Sequence, residues 1–101
     1  MWLITMFDLP VGTPTERRRA NRFRKFLMDE GMGMKQFSVY QKYYQSRAQA
    51  EAAAERIGRA APPHGQVTIV FITDRQFGMI RNYSGRTESE PDEKPSQLAL
   101  F

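Results

Sequence analysis

Residues 2–16 read WLITMFDLPVGTPTE, and this stretch decides the fold because it places a strand directly before a helix. Residues 2–8 are apolar and β-prone without a breaker, so they predict a strand that ends at Asp8. Residues 13–16 predict a helix start, since they supply a capping threonine, a proline suited to the first helical position and the acid of a capping box. The sequence therefore opens with a strand, a short turn and a helix.

The predicted first helix runs to about Glu30, and Gly31 is a natural stop for it. Apolar residues recur along this helix at intervals of three and four, which predicts one buried face. That face consists of Ala20, Phe23 and Leu27. A second helix is predicted from Ser46 onward, and its inner face carries Ala50, Ala53, Ala54 and Ile57. These side chains are mostly small, so the helix can lie close to a sheet.

Three further stretches predict strands. Residues 34–44 are aromatic and alternate in polarity, but no turn signal divides them, so a bent strand and a tight hairpin both remain open. Residues 66–73 form the most strand-like segment and are expected at the centre of the sheet. Residues 76–83 are expected to return as another strand after a turn at residues 74–75.

Two helices that alternate with strands in a chain of 101 residues predict one α+β domain, with a single sheet and both helices on one of its faces. We expect this domain to span residues 1–83. Residues 84–97 are polar and cannot bury enough apolar area to order themselves, so they predict a linker. Residues 98–101 read Leu-Ala-Leu-Phe and predict a C-terminal docking strand for a sheet edge, with fraying in solvent as the alternative.

The composition excludes several classes of site. The sequence has no cysteine, which rules out disulfides, thiolate metal ligands and cysteine nucleophiles. No apolar run approaches the roughly 20 residues that a membrane helix needs. The first residues also lack the basic region of a secretory signal, so we expect a cytoplasmic protein with no membrane partner.

Charge is unevenly distributed along the chain. Residues 1–83 hold 13 of the 15 lysine and arginine residues but only 7 of the 11 acidic residues. The rest of the chain is net acidic. A basic body points to a polyanionic partner such as nucleic acid, although many globular domains are basic without one.

The first helix carries the densest positive charge. Six cationic residues fall between positions 17 and 25 without an intervening acid: Arg17, Arg18, Arg19, Arg22, Arg24 and Lys25. Three of them, Arg18, Arg22 and Lys25, lie opposite the apolar stripe and face solvent. A solvated helix face is the alternative, but cations at a helix N-terminus oppose the macrodipole. Phosphate binding explains the crowding better, so Arg17, Arg18, Arg22 and Lys25 are predicted to bind nucleic acid.

Asp8 is the candidate for chemistry. It continues the alternation of Trp2, Ile4 and Met6, and a carboxylate on an apolar face is costly to bury unless a partner or a cation meets it. The end of a strand beside a helix start is also where ligands bind in layered α/β structures. A turn-forming aspartate ahead of Pro10 is the alternative, and on these grounds alone it is the better one.

The remaining candidates favour structural roles. The aromatic residues Phe37, Tyr40, Tyr43 and Tyr44 suggest base stacking, but their alternation favours packing in the core or an interface. His64 is the one histidine, and without a neighbouring Cys, Asp or Glu in the sequence it is a poor ligand or general base. The sequence contains no Gly-rich phosphate loop, Ser/His/Asp set or zinc-ligand spacing.

Taken in order, these elements resemble the Cas-two family of CRISPR-associated proteins. The resemblance rests on the arginine-rich helix and on four short stretches: MFDLP at 6–10, FRKFL at 23–27, QFSVY at 36–40 and ITDRQF at 72–77. It covers about residues 2–85 in the right order and spacing. Each piece is weak by itself, but their joint occurrence is quite specific.

The resemblance implies a ferredoxin-like βαββαβ two-layer sandwich with an extra C-terminal strand, assembled as a symmetric homodimer. It also implies a partnership with the larger Cas-one integrase in capturing spacer DNA. Family members have been assigned metal-dependent endoribonuclease or double-strand DNase activity, while in the integration complex the protein mainly scaffolds DNA. The implied nucleic acid is double-stranded DNA, with single-stranded RNA as the alternative.

The same resemblance implies a divalent metal between the two copies of Asp8, which would then be the metal ligand and the catalytic residue. One carboxylate is too few for Mg²⁺, but two symmetry-related carboxylates could hold it, or another divalent cation, with water completing the shell. The bound ion could activate water for phosphodiester attack, with Ser38 close enough to help. Whether the protein cuts nucleic acid is left open, and a toxin-like ribonuclease of the same fold is the alternative.

Overall fold

A computed structural model of the chain describes residues 1–92. In chain order its elements are β1 (Trp2–Asp8), α1 (Pro14–Asp29), β2 (Gly33–Gln36), β3 (Val39–Tyr43), α2 (Arg47–Ala60), β4 (Gln66–Ile72), α3 (Asp74–Gly78), β5 (Asn82–Ser84) and β6 (Thr87–Ser89). The first four strands form one antiparallel sheet in the order β2-β3-β1-β4. This is the predicted ferredoxin-like α+β sandwich. The extra C-terminal strand predicted at residues 98–101 lies outside the described residues.

The core lies between the sheet and the two long helices. Leu3 and Phe7 of β1 meet Phe23 of α1 and Ile57 of α2 in one buried cluster. The rings of Phe7 and Phe23 pack edge to face, with their centroids 5.2 Å apart. The predicted inner faces of both helices are confirmed, because Ala20, Phe23 and Leu27 of α1 and Ala50, Ala53 and Ile57 of α2 are buried. The opposite face of the sheet carries neither long helix and is called the open face below.

The helix ends follow the sequence signals. The hydroxyl of Thr13 accepts a hydrogen bond from the Glu16 N–H at 3.1 Å, and the Glu16 carboxylate accepts one from the Thr13 N–H at 2.9 Å. This reciprocal pair is the predicted capping box. Gly31 has φ of 87°, the left-handed conformation that ends a helix at glycine. Ser46 caps α2 as predicted, accepting from the Gln49 N–H.

Residues 34–44 form a hairpin, which decides between the two alternatives that the sequence left open. Strands β2 and β3 are joined by a turn at residues 37–38, and Ser38 adopts φ of 64°. A serine in this left-handed conformation is uncommon. The turn could not be predicted from the sequence, because residues 37–38 contain none of the usual Gly, Pro or Asn signals.

The expectation that residues 66–73 lie at the centre of the sheet is wrong. Strand β4 is at an edge, and β1 occupies a central position between β3 and β4. Val67, Ile69 and Phe71 pack on the helix side, while the alternating Val70 and Ile72 lie on the open face. The continuous apolar run therefore reflects the two apolar faces of the sheet. An edge strand, which has a neighbouring strand on one side only, can carry apolar residues on both faces.

The strand expected at residues 76–83 is also wrong over most of its length. Residues Asp74–Gly78 form the short helix α3, capped by Thr73 in a reciprocal box with Gln76, and strand β5 begins only at Asn82. Phe77 of α3 stacks on Trp2 with the ring centroids 3.6 Å apart. The Thr-x-x-Gln capping signal at residues 73–76 indicates the start of this helix.

The polar segment predicted as a linker begins with regular structure. Strands β5 and β6 pair as a hairpin through Asn82–Ser84 and Thr87–Ser89. The Arg81 guanidinium donates two hydrogen bonds to the Glu88 carboxylate beside it. The division of the chain into a domain at 1–83, a linker and a docking strand stays a prediction. None of the helices described is both long enough and apolar enough to cross a membrane.

Candidate nucleic-acid interface and metal site

Asp8 is the last residue of β1 and is exposed on the open face of the sheet. It continues the side-chain alternation of Trp2, Ile4 and Met6, and its neighbour across the strand pair is Gln66 of β4. Among residues 1–92, no hydrogen bond or ion pair involves its carboxylate. The oxygens of Asp8 are therefore free of protein partners within the described chain, which is unlike a carboxylate that only shapes a turn.

Two contacts fix the end of β1 on which Asp8 stands. The Phe7 N–H donates a hydrogen bond to the Ser38 carbonyl oxygen at 3.0 Å, which ties the hairpin turn to this strand end. Gly65, with φ of 98°, packs so closely that an added Cβ would lie 2.7 Å from the Asp8 carbonyl oxygen. The backbone that carries the carboxylate is thus held from both sides.

Asp8 lies in a shallow hollow at the end of the sheet. The predicted neighbour Ser38 lines the same hollow, as do Phe37, Gln66 and Thr68. Its lining combines apolar side chains with hydroxyl, amide and carboxylate groups, and these polar groups can contact a polar ligand.

A single described chain offers too few ligands for a metal site. Within residues 1–92 no group of three or more His, Cys, Asp or Glu side chains comes together. The exposed carboxylate of Asp8 is the kind of hard oxygen ligand that Mg²⁺ takes, and Mg²⁺ in proteins keeps several waters. The residues present therefore fit a metal only if a second copy of the chain brings its own Asp8. His64, exposed in the loop before β4, belongs to no such group either.

The basic face of α1 consists of Arg18, Arg22 and Lys25, all exposed. Arg18 donates to the Thr15 hydroxyl at 3.1 Å, and no contact within the described chain engages Arg22. Lys25 pairs with Asp29 one turn later, at 3.1 Å. Asp29 lies just beyond the run of cations at positions 17–25 and compensates Lys25, so on this face the uncompensated charge lies on the two arginines.

Arg17 lies apart from this face. Its guanidinium donates to the Val11 carbonyl oxygen in the loop between β1 and α1, at 3.1 Å. Arg17 and Arg18 stand in the first turns of the helix, whereas Lys25 lies about 10 Å further along its axis. The positive charge therefore extends along α1 from the end of the helix that follows Asp8 in the chain.

The aromatic residues divide into two groups. Tyr40 and Tyr44 are buried, and Tyr43 packs edge-on against Trp2 at 5.5 Å, as the packing interpretation predicted. Phe37 does not follow them, since 79% of its side chain is exposed. The Arg24 guanidinium lies over its ring at 5.5 Å from the centroid. The sequence singled out neither the exposure of Phe37 nor this pairing, because the turn that causes both was not predicted.

The fold and the site define a class of small ferredoxin-like proteins with a lone carboxylate at the end of the first strand and a basic first helix. The model of the family described as CRISPR associated protein Cas2 matches residues 1–80. Relatives named CRISPR-associated endoribonuclease Cas2 are similar over the whole chain. The protein from Parvibaculum lavamentivorans is 45% identical over 101 residues, which is 100% of both chains. The protein from Flavobacterium psychrophilum is 43% identical over 100% of this chain and 88% of its own length. The chain therefore belongs to the Cas2 family of CRISPR-associated proteins.

Proposed function

We propose that this chain is a CRISPR adaptation protein that binds duplex DNA as a homodimer and scaffolds spacer DNA for the Cas-one integrase. The observation that carries the proposal is the pair of exposed guanidinium groups on α1, Arg18 and Arg22, which no carboxylate of the described chain neutralises. Side chains of this kind bind phosphate oxygens without reading sequence. Binding releases counterions, so the affinity depends strongly on salt.

The open face of the sheet supports the homodimer. It carries Ile4, Val39 and Val70 at its centre, flanked by Met6 with 38% of its side chain exposed. Helix α3 covers the Trp2 end of this face, and the Asp92 carboxylate contacts it at Gln41. A second copy packed face to face would cover the remaining apolar surface, and a two-fold axis would bring identical residues together.

The dimer also supports a metal at Asp8. Two Asp8 carboxylates, one from each copy, would hold Mg²⁺ or another divalent cation. When bound, such an ion supplies an activated water for phosphodiester hydrolysis. The exposed, unpaired carboxylate and the endoribonuclease names of the relatives favour this second activity, a Mg²⁺-dependent endonuclease with Asp8 as its catalytic residue. Asp8 would position the ion and its water against the nucleic-acid strand, while the arginines of α1 hold the phosphates.

Spacer integration with the cognate integrase tests the scaffold role. We expect Asp8→Ala to retain integration, because the scaffold needs the basic face and not the carboxylate. The triple variant Arg18→Ala/Arg22→Ala/Lys25→Ala should lose it. Arg47→Ala is the matched control, since Arg47 is an exposed arginine at the first position of α2 and its ion pair with Glu51 is solvent-exposed. Full integration by the triple variant would overturn the scaffold proposal.

The nuclease role needs a separate measurement. Cleavage of a labelled RNA or DNA duplex should require Mg²⁺, stop on addition of a chelator and disappear in Asp8→Asn, which keeps the size of the side chain but removes its charge. Cleavage by Asp8→Asn at the rate of the unsubstituted protein would exclude Asp8 as the catalytic residue.

A further inference from the structure

Phe37 has an unusual position for a large apolar residue. It sits at the tip of the β2–β3 turn, with 79% of its side chain exposed, the largest exposed fraction among the large apolar side chains of the described residues. The turn is fixed in place, since the Ser38 carbonyl oxygen accepts a hydrogen bond from Phe7. Single exposed apolar residues are common on protein surfaces and need no function by themselves. What sets Phe37 apart is its surroundings.

The first of these surroundings is Arg24, whose guanidinium lies over one side of the Phe37 ring. Its guanidinium lies 5.5 Å from the centroid of the exposed Phe37 ring and 5.9 Å from that of the buried Phe7 ring. A hydrogen bond to the Asn21 side chain at 2.9 Å further restrains Arg24. One side of Phe37 thus meets a cation, and because the residue is 79% exposed in the single described chain, the other side is open to a ligand there.

The second is the location of the pair. Phe37 lines the same hollow as Asp8 and Ser38, and α1 brings Arg17 and Arg18 to this end of the sheet. An open aromatic face, a stacked guanidinium and nearby phosphate-binding cations together form the arrangement that recognises single-stranded nucleic acid. A continuous duplex offers no free base to such a ring, because its bases are stacked on each other.

We propose that Phe37, backed by Arg24, is a platform on which an unpaired base of single-stranded nucleic acid stacks, directly beside Asp8. This inference rests on the proposed nucleic-acid binding by α1. It adds that the nucleic acid that reaches the Asp8 site is single-stranded. The basic face of α1 holds the phosphates of either form, and Phe37 discriminates in favour of unpaired bases. The ring is a positioning residue, which holds the strand against the carboxylate.

The test compares binding of a short single strand carrying 2-aminopurine with binding of a blunt duplex of the same length. In Phe37→Ala we expect the single-strand affinity to fall about ten- to a hundred-fold, and the fluorescence quenching that reports stacking to disappear. The duplex affinity should change less than about two-fold. Phe37→Tyr should keep the single-strand affinity, and Phe37→Leu should lose it. Tyr83→Ala is the matched control, since Tyr83 is an exposed aromatic residue with Arg81 over its ring elsewhere on the molecule.

Three results would overturn the platform. The first is single-strand affinity unchanged in Phe37→Ala, and the second is full affinity in Phe37→Leu, which would make the aromatic ring irrelevant. The third is a drop in oligomeric mass for Phe37→Ala, which would assign the ring to contact with a second copy. If Arg18→Ala/Arg22→Ala weakens both forms while Phe37→Ala weakens neither, the platform fails and the proposed function stands. If the arginine variant weakens neither form, the proposed function fails by itself.

Discussion

Glu30 and Arg56 form an ion pair at the end of the sheet opposite Asp8. The Arg56 guanidinium donates to both carboxylate oxygens of Glu30, at 2.6 and 3.1 Å. The hydrogen bond from Arg56, helped by the charges of Arg56 and Lys42, lowers the pKa of Glu30 below its ordinary value of 4.5. Nearby, burial raises the pKa of Tyr44, whose buried hydroxyl finds no hydrogen-bond partner among residues 1–92.

This pair predicts an acid-dependent part of the stability. Because the pKa of Glu30 is lower in the folded chain than in the unfolded one, its contribution is complete above about pH 4.5 and is lost as the pH falls through the folded value. Glu30→Gln should therefore lower the free energy of unfolding at neutral pH, and the difference from the unsubstituted protein should shrink below pH 4.5. Urea unfolding over a pH series measures this.

Arg56→Gln provides the control, because it removes the same hydrogen bonds from the other side. It should produce the same pH dependence, and adding Glu30→Gln to it should cost little more. A stability difference between Glu30→Gln and the unsubstituted protein that stays constant down to strongly acid pH would contradict the assignment.

At the scale of single residues, the sequence predicts correctly where some side chains lie and fails for others. Asp8 was placed on the right face because strand alternation is strictly local. The exposure of Phe37 depends on a turn without Gly or Pro, so the alternation of the aromatic residues favours packing for one that does not pack. The pairing of Lys25 with Asp29, by contrast, has the i, i+4 spacing of a helical ion pair and can be predicted from the sequence.

At the scale of elements, the loop between α2 and β4 determines how β1 ends. Gly65 in this loop has φ of 98° and approaches the Asp8 carbonyl oxygen and the side chain of Leu9. A residue with a Cβ would be strained in this conformation and would also collide with the backbone of the strand end. The loop can therefore close onto β1 only with glycine at this position.

Gly65→Ala should destabilise the fold by about 1–3 kcal/mol, the sum of the backbone strain and the displaced contact. Gly58→Ala is the matched control, since beyond its own helix backbone no atom of the described residues lies within 4 Å of an added Cβ at that position of α2. In a helix this change should stabilise by about 0.5–1 kcal/mol. Chemical denaturation measures both. Equal effects of the two substitutions would show that the close approach at Gly65 carries no energetic weight.

The sequence predicted the elements that have strong local signals. Helices α1 and α2 begin at a capping threonine or serine and bury the expected stripes, so their existence and faces follow from the residues alone. The position of β4 at an edge of the sheet does not follow from the residues alone. An apolar run indicates burial on two faces but does not indicate which strands lie beside it in the sheet. Helix α3 is short, and the β-prone residues that follow it favour a strand over the helix that its capping box indicates.

The whole molecule has a covered face and an open one. Helices α1 and α2 cover one side of the sheet, while Val39 and Val70 lie on the other. The amine of Lys35 and the amide of Gln41 both donate to the Asp92 carboxylate, each at 2.9 Å, so the end of the described chain folds back to β2 and β3. The apolar centre of the open face is the surface that a second copy would bury.

The dimer proposal predicts a sensitive position on that face. Val70→Glu should convert a particle of twice the chain mass into one of single mass, because burying unpaired carboxylates at the interface is costly. Light scattering after size-exclusion chromatography measures the mass, and circular dichroism checks that the fold persists. Val11→Glu is the control, since Val11 is a 49% exposed valine in the loop before α1 and should leave the dimer intact. A folded Val70→Glu dimer would exclude the open face as the interface.

The central claim is that the exposed arginines of α1 bind DNA phosphates, and the salt dependence of duplex binding tests it most directly. Each phosphate contact contributes about 0.9 to the slope of log affinity against log salt concentration. Arg18→Ala/Arg22→Ala should weaken binding and reduce that slope by about 2 for each chain that contacts the duplex, whereas Arg47→Ala should leave both unchanged. An Arg18→Ala/Arg22→Ala variant with the affinity and the salt slope of the unsubstituted protein would contradict the claim.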